Sequence, residues 1–333
     1  HIADRLITVL GWKPKSFTAT GQPEVNEKIL KELPYPEAKK ISEYLMIQKR
    51  LGQLSDGDQA YLKLNNRGKI YGKVNTLGTY TGRCSHNSPN LAQCVSSDSP
   101  YGSEFRSLFI APSDMDFIGL DFSGLELRVL SSYMASYDNG DFSKRLLEND
   151  IHTENKKAVG LSTRAEAKRF IYAYIYGCGN AKLGEILGIS VDEAKRVRQK
   201  FEKKLPALKT LTDAVKHKYR RFGYINGIDG RRLIPKAEYS SLNTLIQSCG
   251  SILVKAGTIF LNQELHKAGF KWGEDYAMVL HVHDEMQFYV KKNKTEQFKT
   301  IAKTIFKQTQ NYFNFKTPLD GEIKVGRTWS DTH

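Results

Sequence analysis

Two apolar strands about half a chain apart, each ending in a carboxylate, constrain this fold more than any other feature. Phe117-Ile118-Gly119-Leu120 runs into Asp121. Much later, His281-Val282-His283-Asp284-Glu285-Met286-Gln287 places Asp284 at a tight turn between two runs of apolar and β-branched residues. Almost everything between them has the apolar spacing of helices. Strands, then a helical insertion, then strands again describe a discontinuous α+β domain with an all-helical lobe inserted in it.

The helical signals are explicit. Leu125 to Met134 follows the first strand after Ser123-Gly124, and the pattern stays helical from about Asp150 to Gly223. Thr163-x-x-Glu166 reads as a capping box for a helix holding Arg164 to Tyr176, and Ser190-x-x-Glu193 as another. Pro206 suits a first turn. Helices are also predicted for Leu242 to Lys267 and Glu296 to Tyr312, around a strand–turn–strand from Met278 to Val290. The first stretch, to about Leu54, reads as helical, and Lys69 to Arg83 as short strands and turns.

The 333 residues carry a formal net charge of +14, a field that favours polyanions. The four cysteines form no C-x-x-C pair, so neither a zinc ribbon nor a disulfide framework is suggested, and a reducing cytosolic setting fits best. No uninterrupted apolar run approaches the roughly 20 residues of a membrane span, so no membrane partner is expected.

Either aspartate alone reads as a turn former or a helix cap. Together, with Glu285 adjacent, they suggest a Mg²⁺ site, because Mg²⁺ takes hard oxygen ligands, commonly one or two carboxylates plus substrate phosphates. Spacing alone does not show that the two strands adjoin. Arg164, Lys168, Tyr172 and Tyr176 recur every four residues and form a slowly drifting stripe on one helix face. Such a stripe suits a polyphosphate and a base, or equally a solvated helix with core tyrosines. His152 is a further phosphate contact or a structural histidine.

Asp121-Phe122-Ser123-Gly124-Leu125-Glu126-Leu127-Arg128 resembles motif A of family A DNA polymerases. Arg164-x-x-x-Lys168-x-x-x-Tyr172-x-x-x-Tyr176-Gly177 resembles motif B, and His283-Asp284-Glu285 resembles motif C. Thr81-Gly82-Arg83 with Pro89-Asn90-Leu91-Ala92-Gln93 is similar to the primer–template segment, and Asn243-x-x-x-Gln247 to a duplex-contacting helix. The five occur in the family's order. Asn139-Gly140, Asp150-Ile151-His152-Thr153, Glu43 to Arg50 and the ending at Trp329 to His333 lean toward the T-seven-like phage replicative branch.

The resemblance implies a right-hand fold with an antiparallel palm sheet. Its parts are a partial thumb over 1–63, palm over 64–133, helical fingers over 134–243 and palm again over 244–333. It implies primer-dependent, template-directed DNA synthesis from dNTPs with two Mg²⁺ ions, held by Asp121, Asp284 and the Phe122 carbonyl, with Glu285 as a supporting acid. Arg164, Lys168 and His152 would hold the triphosphate, Tyr172 the sugar and Tyr176 the templating region. Glu126 would exclude a 2′-hydroxyl. Arg83, Asn90, Gln93, Asn243, Gln247 and His283 would touch primer–template DNA. No exonuclease segment is recognised, so a proofreading activity would belong to a separate chain or an upstream part. A thioredoxin-like processivity factor and a replicative helicase-primase are partners implied by the phage branch, whose setting is the cytoplasm of an infected bacterium. A single-subunit RNA polymerase and a non-catalytic nucleic-acid-binding module are the competing readings.

Overall fold

The computed structural model describes residues 2–333, which form two compact units: residues 2–73 with 86–91, and residues 74–85 with 92–333. In the first unit, helices Ile2–Leu10, Glu27–Glu32 and Pro36–Leu51 enclose a small core of Leu6, Trp12, Leu30 and Ala38. This stretch is not continuously helical, although its apolar spacing predicts a helix. Residues 11–26 are mostly irregular, with Asn26 closing the segment as the N-cap of Glu27–Glu32 through a 3.0 Å bond from the Ile29 N–H.

The second unit is built on a four-stranded antiparallel sheet. Its strands are β1 (Met115–Phe122), β2 (Tyr276–Val282), β3 (Glu285–Lys291) and β4 (Gly321–Gly326), in the order β2-β3-β1-β4. Residues 117–121, predicted as a strand from their apolar run, lie between β3 and β4. The alternation of a strand then separates two chemistries. Ile118, Leu120 and Phe122 point to one face with Met286 and Phe288, and all five are almost fully buried. Phe117, Gly119 and Asp121 share the other face with Tyr289, Gln287 and Glu285, their partners across the ladder.

The apolar face packs on two long helices. The first, α1 (Ser241–Lys267), buries Leu245, Cys249, Leu253 and Leu261, and the second, α2 (Thr295–Tyr312), contributes Phe298 and Phe306. Phe122 meets Phe306 edge to face at 4.9 Å. By length and composition α1 could cross a membrane, which the lack of an uninterrupted apolar run did not suggest; in this fold most of its apolar stretch is buried.

The insertion between β1 and α1 is helical throughout, apart from a two-stranded ribbon at Ile225–Asn226 and Arg232–Leu233 around the turn at Gly227 to Gly230. Both capping boxes form, at Thr163/Glu166 and Ser190/Glu193, and Pro206 opens its helix as predicted. Strand β4 and the helical turn at Trp329–Thr332 carried no secondary-structure signal in the sequence.

Candidate active site

The two carboxylate-bearing strands are neighbours. Asp121 sits opposite Glu285 in the β1–β3 ladder, and the Phe122 N–H donates to the Asp284 carbonyl at 3.1 Å. That bond fixes the end of β1 to the turn between β2 and β3. The turn is two residues long, His283 and Asp284, with Val282 paired to Glu285. His283 adopts φ +54, a left-handed conformation that costs a non-glycine residue on the order of 1 kcal/mol and that clusters at functional sites.

The carboxylates are electrostatically unhappy in each other's company. Burial pushes the Asp121 carboxyl up to about 7, and the charges of Asp284 and Glu285 add to the shift. Burial likewise raises Asp284, against the pull of Arg83 and His283. Glu322, directly across β4 from Asp121, contributes a further negative charge that sequence reasoning missed. Half-buried carboxylates that repel one another are stabilised by a nearby cation. Among the described residues no three His, Cys, Asp or Glu side chains group to hold a metal unaided. Two carboxylates with remaining positions left to water, a carbonyl and substrate oxygens is the donor set that Mg²⁺ takes.

Glu285 is different. It is almost fully buried, and both of its oxygens are engaged. Trp329 Nε1 donates to Oε1 at 2.7 Å, Gln287 Nε2 donates to the same atom at 2.5 Å, and His333 Nδ1 lies 3.0 Å from Oε2. Burial alone would raise its pKa, but the hydrogen bonds from His333 and Gln287, the His333 charge and the Trp329 N–H carry it below the usual value. Thr332 Oγ1 extends the network to Gln287 Oε1 at 2.9 Å. Gly119 makes this approach possible, since a Cβ there would lie 2.4 Å from the Thr332 carbonyl oxygen.

A second group of predicted residues assembles around Glu126. Arg83 Nη2 donates to its Oε1 at 3.0 Å, and the Tyr176 hydroxyl reaches both oxygens at 3.2 and 3.3 Å. Burial and the Glu126 charge push the Tyr176 hydroxyl up to about 12. Tyr172 is half-buried, with its ring 6.4 Å from those of both Tyr176 and His152. Its hydroxyl is raised by burial and then by the charges of Glu126 and Asp284. Gly177 ends that helix at φ +72, where a Cβ would meet the Tyr239 carbonyl oxygen at 2.0 Å.

At the other end of the stripe, Arg164 and Lys168 are exposed while Ala167, Phe170 and Ile171 bury the opposite face. Asp150 ties this end down, a role not anticipated from sequence. Its carboxylate accepts from the His152 and Thr153 N–H groups, from the Thr153 hydroxyl at 2.7 Å and from Arg164 Nε at 2.6 Å. Burial, then the Arg164 charge, lowers the pKa of His152.

Asn243 and Gln247 are half-exposed on an otherwise buried stretch of α1. The same four-residue spacing continues through Ser251 and Lys255, which bond the Gly82 carbonyl at 2.7 and 2.6 Å and so hold the loop carrying Arg83. Those two residues were visible in the spacing but not singled out. Gln93 and the exposed His283 also belong to the second unit, whereas Asn90 belongs to the first.

The sequence pattern of DNA polymerase family A matches residues 1–331. The chain belongs to DNA polymerase family A. It is 37% identical to the DNA-directed DNA polymerase of Enterobacteria phage T3 and 36% identical to that of Escherichia phage T7, over the whole of this chain in both cases. It spans 52% of the length of each of these relatives. The thermostable DNA polymerase I of Thermus aquaticus is 27% identical over 79% of this chain and 32% of its own length. A solved structure described as the POL domain of Pol1 from M. smegmatis, in complex with DNA primer–template and dNTP, matches 99% of this chain and 61% of its own with a TM-score of 0.83. At 20% identity that likeness is one of fold. The resemblance to a phage-type family A polymerase, read from five motifs, is thus supported along the whole chain.

Proposed function

We propose that this chain carries out template-directed, primer-dependent DNA synthesis by two-metal-ion nucleotidyl transfer, adding dNMP to a primer 3′-hydroxyl and releasing pyrophosphate. The observation that carries the reading is the Phe122 N–H···O=C Asp284 bond, which joins two half-buried carboxylates beside the Glu126–Tyr176–Arg83 cluster. Mg²⁺ bound by Asp121, Asp284 and the Phe122 carbonyl would supply charge neutralisation, an acidified attacking hydroxyl and support for the leaving oxygens.

The chain's own residues position the reactants, which is most of what phosphoryl transfer requires. Arg164 and Lys168 offer exposed cations to the triphosphate. His152, kept neutral by burial and by Arg164, serves as a hydrogen-bond donor beside them. Tyr172 packs against the sugar. Glu126, held by Arg83 and Tyr176, occupies the space a 2′-hydroxyl would need and leaves a half-buried carboxylate facing any ribonucleotide. We assign Glu285 a positioning role, since its oxygens are already committed. Arg83, Gln93, Asn243, Gln247, His283 and, from the first unit, Asn90 are the proposed contacts to primer–template DNA. We further propose the palm, fingers and thumb spans given by the motifs, and, on the resemblance to the phage branch alone, a thioredoxin-like factor and a helicase-primase as partners.

Primer extension with Mg²⁺ and either dNTPs or rNTPs tests the reading. Extension by dNTPs that Asp121→Ala and Asp284→Ala both abolish is the expected result. Preference for rNTPs without a primer would point to an RNA polymerase, and retained salt-sensitive DNA binding without synthesis would point to a binding module.

A further inference from the structure

Cys84 follows Arg83 in the loop held by α1, and three polar groups surround its sulfur. Sγ lies 4.0 Å from His281 Nδ1 and 3.9 Å from the Thr76 carbonyl oxygen. Lys255 Nζ donates to that same Thr76 oxygen, so its ammonium group stands beside the sulfur, and the two groups interact electrostatically.

The hydrogen bonds of Thr258 favour one tautomer of His281. Thr258 Oγ1 has one proton, and its best acceptor is the Val254 carbonyl oxygen at 2.8 Å, one turn back on α1; Met286 Sδ, at 3.0 Å, is a weaker one. His281 Nε2 lies 3.3 Å from Oγ1. With the hydroxyl proton committed, Nε2 carries the ring hydrogen and donates it to Oγ1. Nδ1 is then the basic nitrogen, and it faces the thiol. A nucleophile, a base within reach and a third group that orients the base is the arrangement that activates cysteine.

We propose that Cys84 is a reactive thiol with His281 as its base, a modification site for small disulfides such as oxidised glutathione. In the exchange the thiol proton moves to His281 Nδ1 and the sulfur attacks one sulfur of the disulfide. The S–S bond breaks, its electron pair leaves on glutathione, and that thiolate is reprotonated from the imidazolium. Cys84 is oxidised to a mixed disulfide and one glutathione is reduced.

The other cysteines serve as controls within the same chain. Cys94 and Cys249 are buried, and burial pushes Cys249 up to about 12. Cys178 is partly exposed like Cys84, but burial raises its thiol and no imidazole lies against it among the contacts described. The test is incubation of the whole chain with oxidised glutathione at neutral pH, followed by peptide mass spectrometry over time. One glutathione per chain, on Cys84, is the expected result. His281→Asn should slow that modification by roughly tenfold or more, and Thr258→Val, which keeps the ring but frees its tautomer, by a smaller factor. Modification of Cys178 as fast as Cys84 overturns the proposal without any variant. An unchanged Cys84 rate in both variants overturns it as well.

Discussion

Replacing Asp121 by Asn should stabilise the metal-free protein while abolishing synthesis. The carboxyl rises from 3.8 to about 7 in the folded chain because burial and the Asp284 and Glu285 charges oppose its ionisation. At 1.36 kcal/mol for each tenfold change in proton affinity, that rise corresponds to a ceiling of about 4 kcal/mol. Asp121 keeps some contact with solvent, so the realised figure is smaller, roughly 1–3 kcal/mol. The sign is that of a raised group. Its favourable contribution is complete below pH 3.8 and is lost as pH rises through about 7. An amide removes the charge and the loss together. Thermal melts in a chelator from pH 4 to 8.5 should therefore show Asp121→Asn near the parent at pH 4 and a few degrees above it from pH 7 upward. Added Mg²⁺ should close the gap by stabilising the parent alone. A variant that melts no higher than the parent at pH 8, or by the same margin at every pH, would refute the idea of a cation-seeking carboxylate cluster.

Three further outcomes follow from single contacts. Glu126→Ala should relax discrimination between dNTPs and rNTPs by roughly tenfold or more, about 1–3 kcal/mol, measured as the ratio of kcat/KM values, with Tyr176→Phe moving it less because Arg83 still holds the carboxylate. Asp150→Asn should raise KM for the incoming nucleotide several-fold with little change in kcat, since the Arg164 guanidinium loses its anchor at 2.6 Å; an unchanged KM would leave the salt bridge as a surface ornament. Trp329→Phe removes the 2.7 Å donor to buried Glu285 and should cost about 1–3 kcal/mol in denaturant melts at pH 7. Because Glu285 is held below its usual value, its contribution is present above 4.5 and lost in acid, so the difference should shrink as pH falls.

The local chemistry of this chain was legible wherever a short-range pattern decided it. Thr163/Glu166 and Ser190/Glu193 announced their helices because a capping box is complete within four residues. The run from Phe117 to Leu120 announced a buried strand because a strand covered on its apolar face needs little else. Strand β4 escaped notice because Glu322, Lys324 and Val325 are exposed, and its place at the sheet edge comes from pairing with β1 two hundred residues away. The irregular stretch 11–26 was misread as helix because its few apolar residues serve a core contributed by other segments.

The residues that touch the proposed chemistry were thus named by sequence alone: Asp121, Asp284, Glu126 and the stripe from Arg164 to Tyr176. Only the tertiary structure decided which of them act together. It set Asp121 beside the Asp284 turn through one backbone hydrogen bond, made Glu285 a bound rather than a free carboxylate, and added Asp150, Glu322, Ser251, Lys255 and Trp329. The physical reason is range. Residue type and helical or strand period are properties of neighbours in the chain, whereas the partial burial and mutual repulsion that raise the Asp121 carboxyl exist only once distant strands share a sheet.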